Sequence, residues 1–295
     1  MAKKTSRKNN LNELYTALDL MMTGNHSSVA GSDFLMSRKT NPNYGYIDPD
    51  DINDYNQDFI DTIIKLKPIN KVEVPKNLEL LSNQYTDKRK IIEKFDHANY
   101  DNAMASGIEA AKELGNYNEF SNKIVLLNDS EMNIFFDYIA LYRELDDKRA
   151  IINWYLKNPN LINDENKELI KAYEQASFAL LRLDNNLDHG AIKVTDIISQ
   201  NEYILIDKAL NRSKKEGLLY ACSILNLNDY VISSGGGLPL DPKSTGGKTV
   251  LSILSKYLDK IRNTNDCFSP DVRECVRKMY GLALRGGALH GMTIG

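Results

Sequence analysis

The run Pro242-Lys-Ser-Thr-Gly-Gly-Lys-Thr249 sets a lysine and a hydroxyl behind two glycines, just ahead of an amphipathic stretch. Backbone N–H groups at such a helix start can wrap an anion, with Lys248 adding charge and Thr249 a hydroxyl for Mg²⁺. A phosphate loop of the form G-x-x-x-x-G-K-[ST] needs glycine first. Pro242 stands there instead, with φ fixed and no N–H to offer. The hydrophobic run that ends in an aspartate, Tyr203 to Asp207, lies before this stretch and not after it. Gly246, Gly247, Lys248 and Thr249 therefore read as an anion contact before they read as a hydrolytic site. The alternative is a phosphate- or nucleotide-binding enzyme built on this degenerate turn.

Other groupings offer less. Glu93, His97 and Asp101 fall four apart on a helical face, but the di-iron spacing Glu-x-x-His would need glutamate where Lys94 stands. The acidic stretch 48–61 places Phe59 and Lys65 where a calcium loop from Asp54 demands glycine and glutamate. Cys267 and Cys275 are eight apart and lack the paired spacing of a zinc site. Asp188-His189 has no accompanying nucleophile signature. No catalytic set, metal or cofactor is expected.

The basic residues are better arranged. Lys256 and Lys260 follow Lys248 at multiples of four, and Arg273 and Arg277 repeat that spacing. With Lys3, Lys4, Arg7 and Lys8 at the N-terminus, they suit a partner surface or a nucleic-acid backbone. Tyr257, Phe268 and Tyr280 are few aromatics for base stacking, so any such contact is expected to be indifferent to base sequence.

The charge is unevenly spread. The formal net charge is −3, yet residues 208–295 hold 13 basic and 7 acidic residues and residues 1–12 hold four basic and none acidic. Basic ends around an acidic body suggest a polyanion partner or attraction between copies. Composition is that of an ordinary globular chain, with 42% apolar and 26% charged residues. Its wealth of Asn, Lys, Ile and Tyr leans toward an AT-rich genome, as in many viruses, phages and low-GC bacteria, which bears on origin and not on activity. No apolar run is long enough to cross a membrane, and MAKKTSRKNN is not followed by the apolar segment of a secretory signal. Three cysteines are too few for a disulfide framework. The expected location is the cytoplasm or a virion.

Helical signals dominate the elements that must carry these groups. Helices are expected over 49–66, 87–114, 130–158, 163–183, 195–211, 213–226, 249–262 and 270–284, bounded by signals such as Asp48-Pro49 and Ser269-Pro270. The stretches 123–127, 192–195, 203–206 and 230–233 are compatible with short strands. The resulting expectation is a mostly α chain, an irregular bundle of about seven to nine helices. Residues 1–47 form an arm, 48–230 a helical core, and 231–295 a Gly-rich loop with basic helices packed on the core. The function expected is a non-enzymatic structural subunit of a larger assembly, for example a viral or phage structural protein. Its partners would be copies of itself or other subunits, with nucleic-acid backbone as a further contact and no membrane.

Overall fold

The computed structural model describes residues 57–286 apart from 99, 127, 146–147, 158–165, 214–215 and 265. It corrects the expectation of a helical bundle: helices surround a five-stranded closed barrel, and the fold is mixed α/β. Helices α1 (Gln57–Lys65), α2 (Leu78–Ala98) and α3 (Tyr100–Leu114) come first, then a short hairpin of β1 (Tyr117–Asn118) and β2 (Lys123–Ile124). Helix α4 (Asp129–Asp137) runs into a π-helical turn, Tyr138–Tyr142. A second small hairpin, β3 (Glu144–Leu145) and β4 (Lys148–Arg149), leads to α5 (Ala150–Lys157) and α6 (Lys167–Glu174).

The barrel strands are β5 (Ser177–Asn186), β6 (Ala191–Asp196), β7 (Glu202–Ile206), β8 (Leu219–Asn226) and β9 (Val231–Leu240), with α7 (Lys208–Ser213) between β7 and β8. Their order is β5-β6-β7-β9-β8, closed by β5 against β8, and only β7 and β9 run parallel. This is the connectivity of an OB-type Greek-key barrel, with a helix between its third and fourth strands. Helices α8 (Thr245–Asn263) and α9 (Pro270–Gly286) complete the chain.

Burial explains why these strands read as helices. Ala179, Leu181 and Leu183 point into the barrel with Ile192, Val194, Leu205, Cys222 and Val231. Phe178, Leu180, Ile204, Ile206, Leu219 and Ala221 alternate with them and pack outward against the helical shell. A strand buried on both faces loses the polar alternation that marks a strand, and its continuous apolar run imitates a buried helix. Leu210 of α7 closes one end of the barrel interior, and Asp207 Oδ1 starts that helix by accepting from the Ala209 and Leu210 amides, both at 3.0 Å.

The Gly-rich segment is likewise not a loop. Val231–Leu240 is a barrel strand, paired to β8 from Asn226↔Val231 to Leu219↔Leu240. Its glycines permit close approach: a Cβ at Gly236 would lie 2.5 Å from Asp137 Cβ and 2.7 Å from the Asn133 carbonyl, and one at Gly237 would overlap the Tyr220 ring. Strand β9 is the first element after residue 230, and it joins the barrel through β7 and β8. The arm 1–47 lies outside the described residues.

Candidate polar cleft and the carboxylate behind it

An open cleft of about 400 Å³ lies where the π-turn, the end of α3 and the start of α9 meet. Its lining is Glu113, Tyr138, Tyr142, Arg143, Glu144, Pro270, Arg273, Glu274 and Arg277. The π-turn widens the helix by one residue per turn and stacks Tyr138 on Tyr142, with ring centroids 6.3 Å apart. Arg143 follows at once, bonded to Glu109 at 3.0 Å, to Glu113 at 3.2 Å and to the Ser106 carbonyl at 2.8 Å. Tyr138 donates to Glu113 at 2.8 Å. Arg273 pairs with Glu144 at 2.9 Å and lies over the Phe268 ring, while Arg277 grips Glu274 through two nitrogens. Three arginines thus face three glutamates, and each arginine has a carboxylate partner.

Behind this wall lies a buried polar cluster. Asp137, the last residue of α4, accepts from Ser223 at 3.1 Å and from Tyr280 at 3.4 Å, both through Oδ2. Tyr142, in the cleft wall, is 2.5 Å from the Ser223 hydroxyl, and the Cys267 thiol donates to Tyr142 at 3.6 Å. Burial pushes the Asp137 carboxyl up to about 7 against the opposing pull of the Ser234, Ser223 and Tyr280 hydroxyls and of Arg89. Burial likewise raises Tyr142, Tyr280, Tyr220 and Cys222 well above their usual values, and Cys267 to about 12, so all stay protonated near neutrality.

Arg89 of α2 extends the cluster. It donates to the Ser233 carbonyl and hydroxyl at 2.8 and 3.1 Å and to the Ser234 carbonyl at 3.3 Å, and Tyr85 lies beneath its guanidinium. Ser233 in turn donates to Asp207 at 3.1 Å. These bonds stitch the α2 helix to β9 at the stretch where glycines thin the strand.

Of the residues singled out in the sequence, Arg273 and Arg277 enter the cleft. Lys256 and Lys260 lie on exposed positions of α8 outside its lining; Lys260 approaches Asp271 at 3.5 Å and the Tyr257 ring at 5.8 Å. Gly246, Gly247, Lys248 and Thr249 occupy the first turn of α8, after a four-residue turn from β9. Within that turn Asp241 Oδ1 accepts from the Lys243 amide at 2.9 Å and its carbonyl from the Ser244 amide at 3.0 Å. Ser244 caps the helix by accepting from the Gly247 amide at 3.0 Å. A side chain at Gly247 would collide with the Asp241 carbonyl, so this glycine serves a tight packing contact. Lys3, Lys4, Arg7 and Lys8 lie outside the described residues.

Sequence reasoning missed Arg143, Asp137 and Arg89. The available signal was a single aspartate inside the apolar run Met132 to Tyr142 and two serines ahead of three glycines in a strand. Among the described residues no group of three or more His, Cys, Asp or Glu side chains is placed to hold a metal, and no helix is long and apolar enough to cross a membrane. No curated protein and no solved structure matches the chain. A family model does match, over residues 80–267, which takes in the whole barrel, α4, the π-turn and Arg89, and on that match the chain belongs to a family of unknown function (DUF7986).

Proposed function

We propose that this chain is a non-enzymatic subunit of a larger assembly that meets its neighbours, copies of itself first, through the mixed-charge cleft. The observation behind the reading is a separation of groups. The side chains whose chemistry could drive a reaction, Asp137, Ser223, Cys222 and Cys267, are buried, whereas the open concavity presents arginine–carboxylate pairs. Arginine and tyrosine are the residues that interfaces favour, and a surface alternating in sign is complementary to a second copy of itself. Its electroneutral lining suits a protein surface better than a polyanion. A viral or phage particle is one setting for such a subunit.

Light scattering across a concentration series tests this. Association should weaken between about 0.05 and 0.5 M salt, where screening shortens to a few ångströms. The double reversal Arg273→Glu with Arg277→Glu should shift the midpoint to higher concentration. A strict monomer at every concentration and salt would sink the reading.

One observation favours nucleic-acid backbone as a second contact. Residues 64–72 lie along the β5–β7 side of the barrel, where Arg182 holds the Ile64 and Leu66 carbonyls and Asn70 bridges to Asn201. Exposed Lys65, Lys67, Lys71 and Lys76 are carried on or next to this strap. Retention of single-stranded DNA that falls steeply with salt and drops on charge removal at these lysines would support it. The nucleotide-enzyme alternative draws little from the short, self-capped turn at 241–244.

A further inference from the structure

We propose that the cleft is proton-gated: the Asp137 carboxyl, by taking up or releasing a proton, sets how firmly both cleft walls are held against the barrel. The inference rests on the cleft being the contact face only for its effect on partners; the response of the walls stands on the geometry alone.

Asp137 is joined to each wall. Its own helix continues into the π-turn that bears Tyr142 and leads into Arg143, and Tyr280, which donates to it at 3.4 Å, lies on the helix that bears Arg273 and Arg277. The barrel holds it from the other side, through Ser223 of β8 and through Gly236 of β9, which leaves no space beside its Cβ. With the carboxylate ionised, the hydroxyls run in one direction: Cys267 to Tyr142, Tyr142 to Ser223, Ser223 to Asp137. A proton on Oδ1 leaves Oδ2 accepting from both Ser223 and Tyr280 but as a neutral and weaker acceptor, whereas a proton on Oδ2 makes one of these donors turn round.

The surrounding groups do not answer the charge in full. The Ser234 hydroxyl of β9, with those of Ser223 and Tyr280, and the Arg89 cation of α2 favour the charged form, but the Arg89 guanidinium is aimed at the Ser233 and Ser234 carbonyls of β9. Asp207, just after β7, adds a further acidic group to the same cluster. Tyr220 and Cys222 of β8, Tyr142 of the π-turn, Cys267, and Tyr280 of α9 remain neutral donors across the range. Proton release therefore places a charge in a site that excludes water, and the walls yield so that it can be hydrated.

Hydrogen exchange on the full chain, dilute enough to be monomeric and corrected for intrinsic rate, reads the walls directly. A carboxyl that keeps its proton to about pH 7 when buried and to 3.8 when exposed raises the opening equilibrium about tenfold from pH 6 to pH 8. That rise is expected in peptides from the π-turn and from α9, and it should vanish in Asp137→Asn. Tyr280→Phe keeps the carboxyl but cuts its bond to α9, so the response should persist at the π-turn and shrink at α9. An equal pH response in wild type and Asp137→Asn, or a flat wild type, overturns the gate; if Asp137→Asn fails to fold, an unchanged α9 response in Tyr280→Phe overturns it. Association is followed separately: a tenfold response without any association removes the assembly reading and leaves the gate, and pH-independent association with flat exchange removes the gate alone.

Discussion

Replacing Asp137 with asparagine should make the protein more stable at alkaline pH and leave it little changed in acid. Asparagine has nearly the shape of the protonated carboxyl and keeps one acceptor for Ser223 and Tyr280, but it cannot ionise. In the native state the carboxyl holds its proton up to about 7, against 3.8 for the exposed group. Between those values the native state binds a proton that the unfolded chain has lost, so stability falls as pH rises and levels off above about 7. The contribution is complete below pH 3.8 and is lost as pH passes through the native value. The gap between the buried and exposed carboxyl corresponds to about 4 kcal/mol over the full range, of which about 2.5 kcal/mol falls between pH 5 and pH 8. The assay is urea unfolding of wild type and variant at half-unit steps over that interval, taking the difference so that other titrating groups cancel. A gap that widens by about 2.5 kcal/mol toward pH 8 supports the reasoning. A gap that stays constant within about 0.5 kcal/mol would refute it, for Asp137 would then be ionised throughout.

Three further perturbations test the frame around this group. Gly236→Ala should cost about 3 kcal/mol or more, because its Cβ meets the Asp137 Cβ and a backbone carbonyl, neither of which can rotate away; Gly217→Ala, with φ +76 and open space around it, should cost about 1 kcal/mol and serves as the control in the same melts. Arg89→Met should cost about 3 kcal/mol in chemical denaturation by leaving the Ser233 and Ser234 carbonyls without their charged donor. Arg182→Ala frees the Ile64 and Leu66 carbonyls, so protease cleavage within 64–73 should quicken several-fold while the urea midpoint of the barrel shifts little; an unchanged cleavage rate would contradict the strap's dependence on it.

The parts of the chain that announce themselves share one property: a single buried face. Helices α8 and α9 are expected at 249–262 and 270–284 and lie at Thr245–Asn263 and Pro270–Gly286, because their apolar stripe faces the core and their opposite side meets water. The stretch expected as a helix at 163–183 breaks after Glu174, and where the pair at 195–211 and 213–226 is expected the described helix is the short α7, with the end of β6 and the whole of β7 and β8 in the same stretch. Their residues are apolar on both sides because one side fills the barrel and the other seats the shell. Periodicity records how many faces are covered, and a doubly covered strand carries no period. The strand-compatible stretches 192–195, 203–206 and 230–233 each fall within or at the start of a barrel strand, yet nothing local states that they close on one another. Closure depends on β5 meeting β8 across some forty residues.

The glycine-rich segment shows how the same residues can carry a different physical message. Glycines before Gly-Lys-Thr suggest a backbone freed to surround a phosphate, and the basic turn after them strengthens that impression. In the fold, Gly236 and Gly237 instead let β9 press onto Asp137 and the Tyr220 ring, while Gly247 lets the helix start close on the Asp241 carbonyl. The close approach at Gly236 helps to bury Asp137, and burial is the largest cause of its raised pKa. A side chain there would push α4 away from the strand, let water reach the carboxyl and return it toward its ordinary range. The glycines that look like a ligand loop thus serve a titratable group far from them in sequence. Gly236→Ala, if folded, should then lose part of the pH dependence that Asp137→Asn abolishes. Retention of the full wild-type slope in that variant would separate the glycine from the carboxyl beside it.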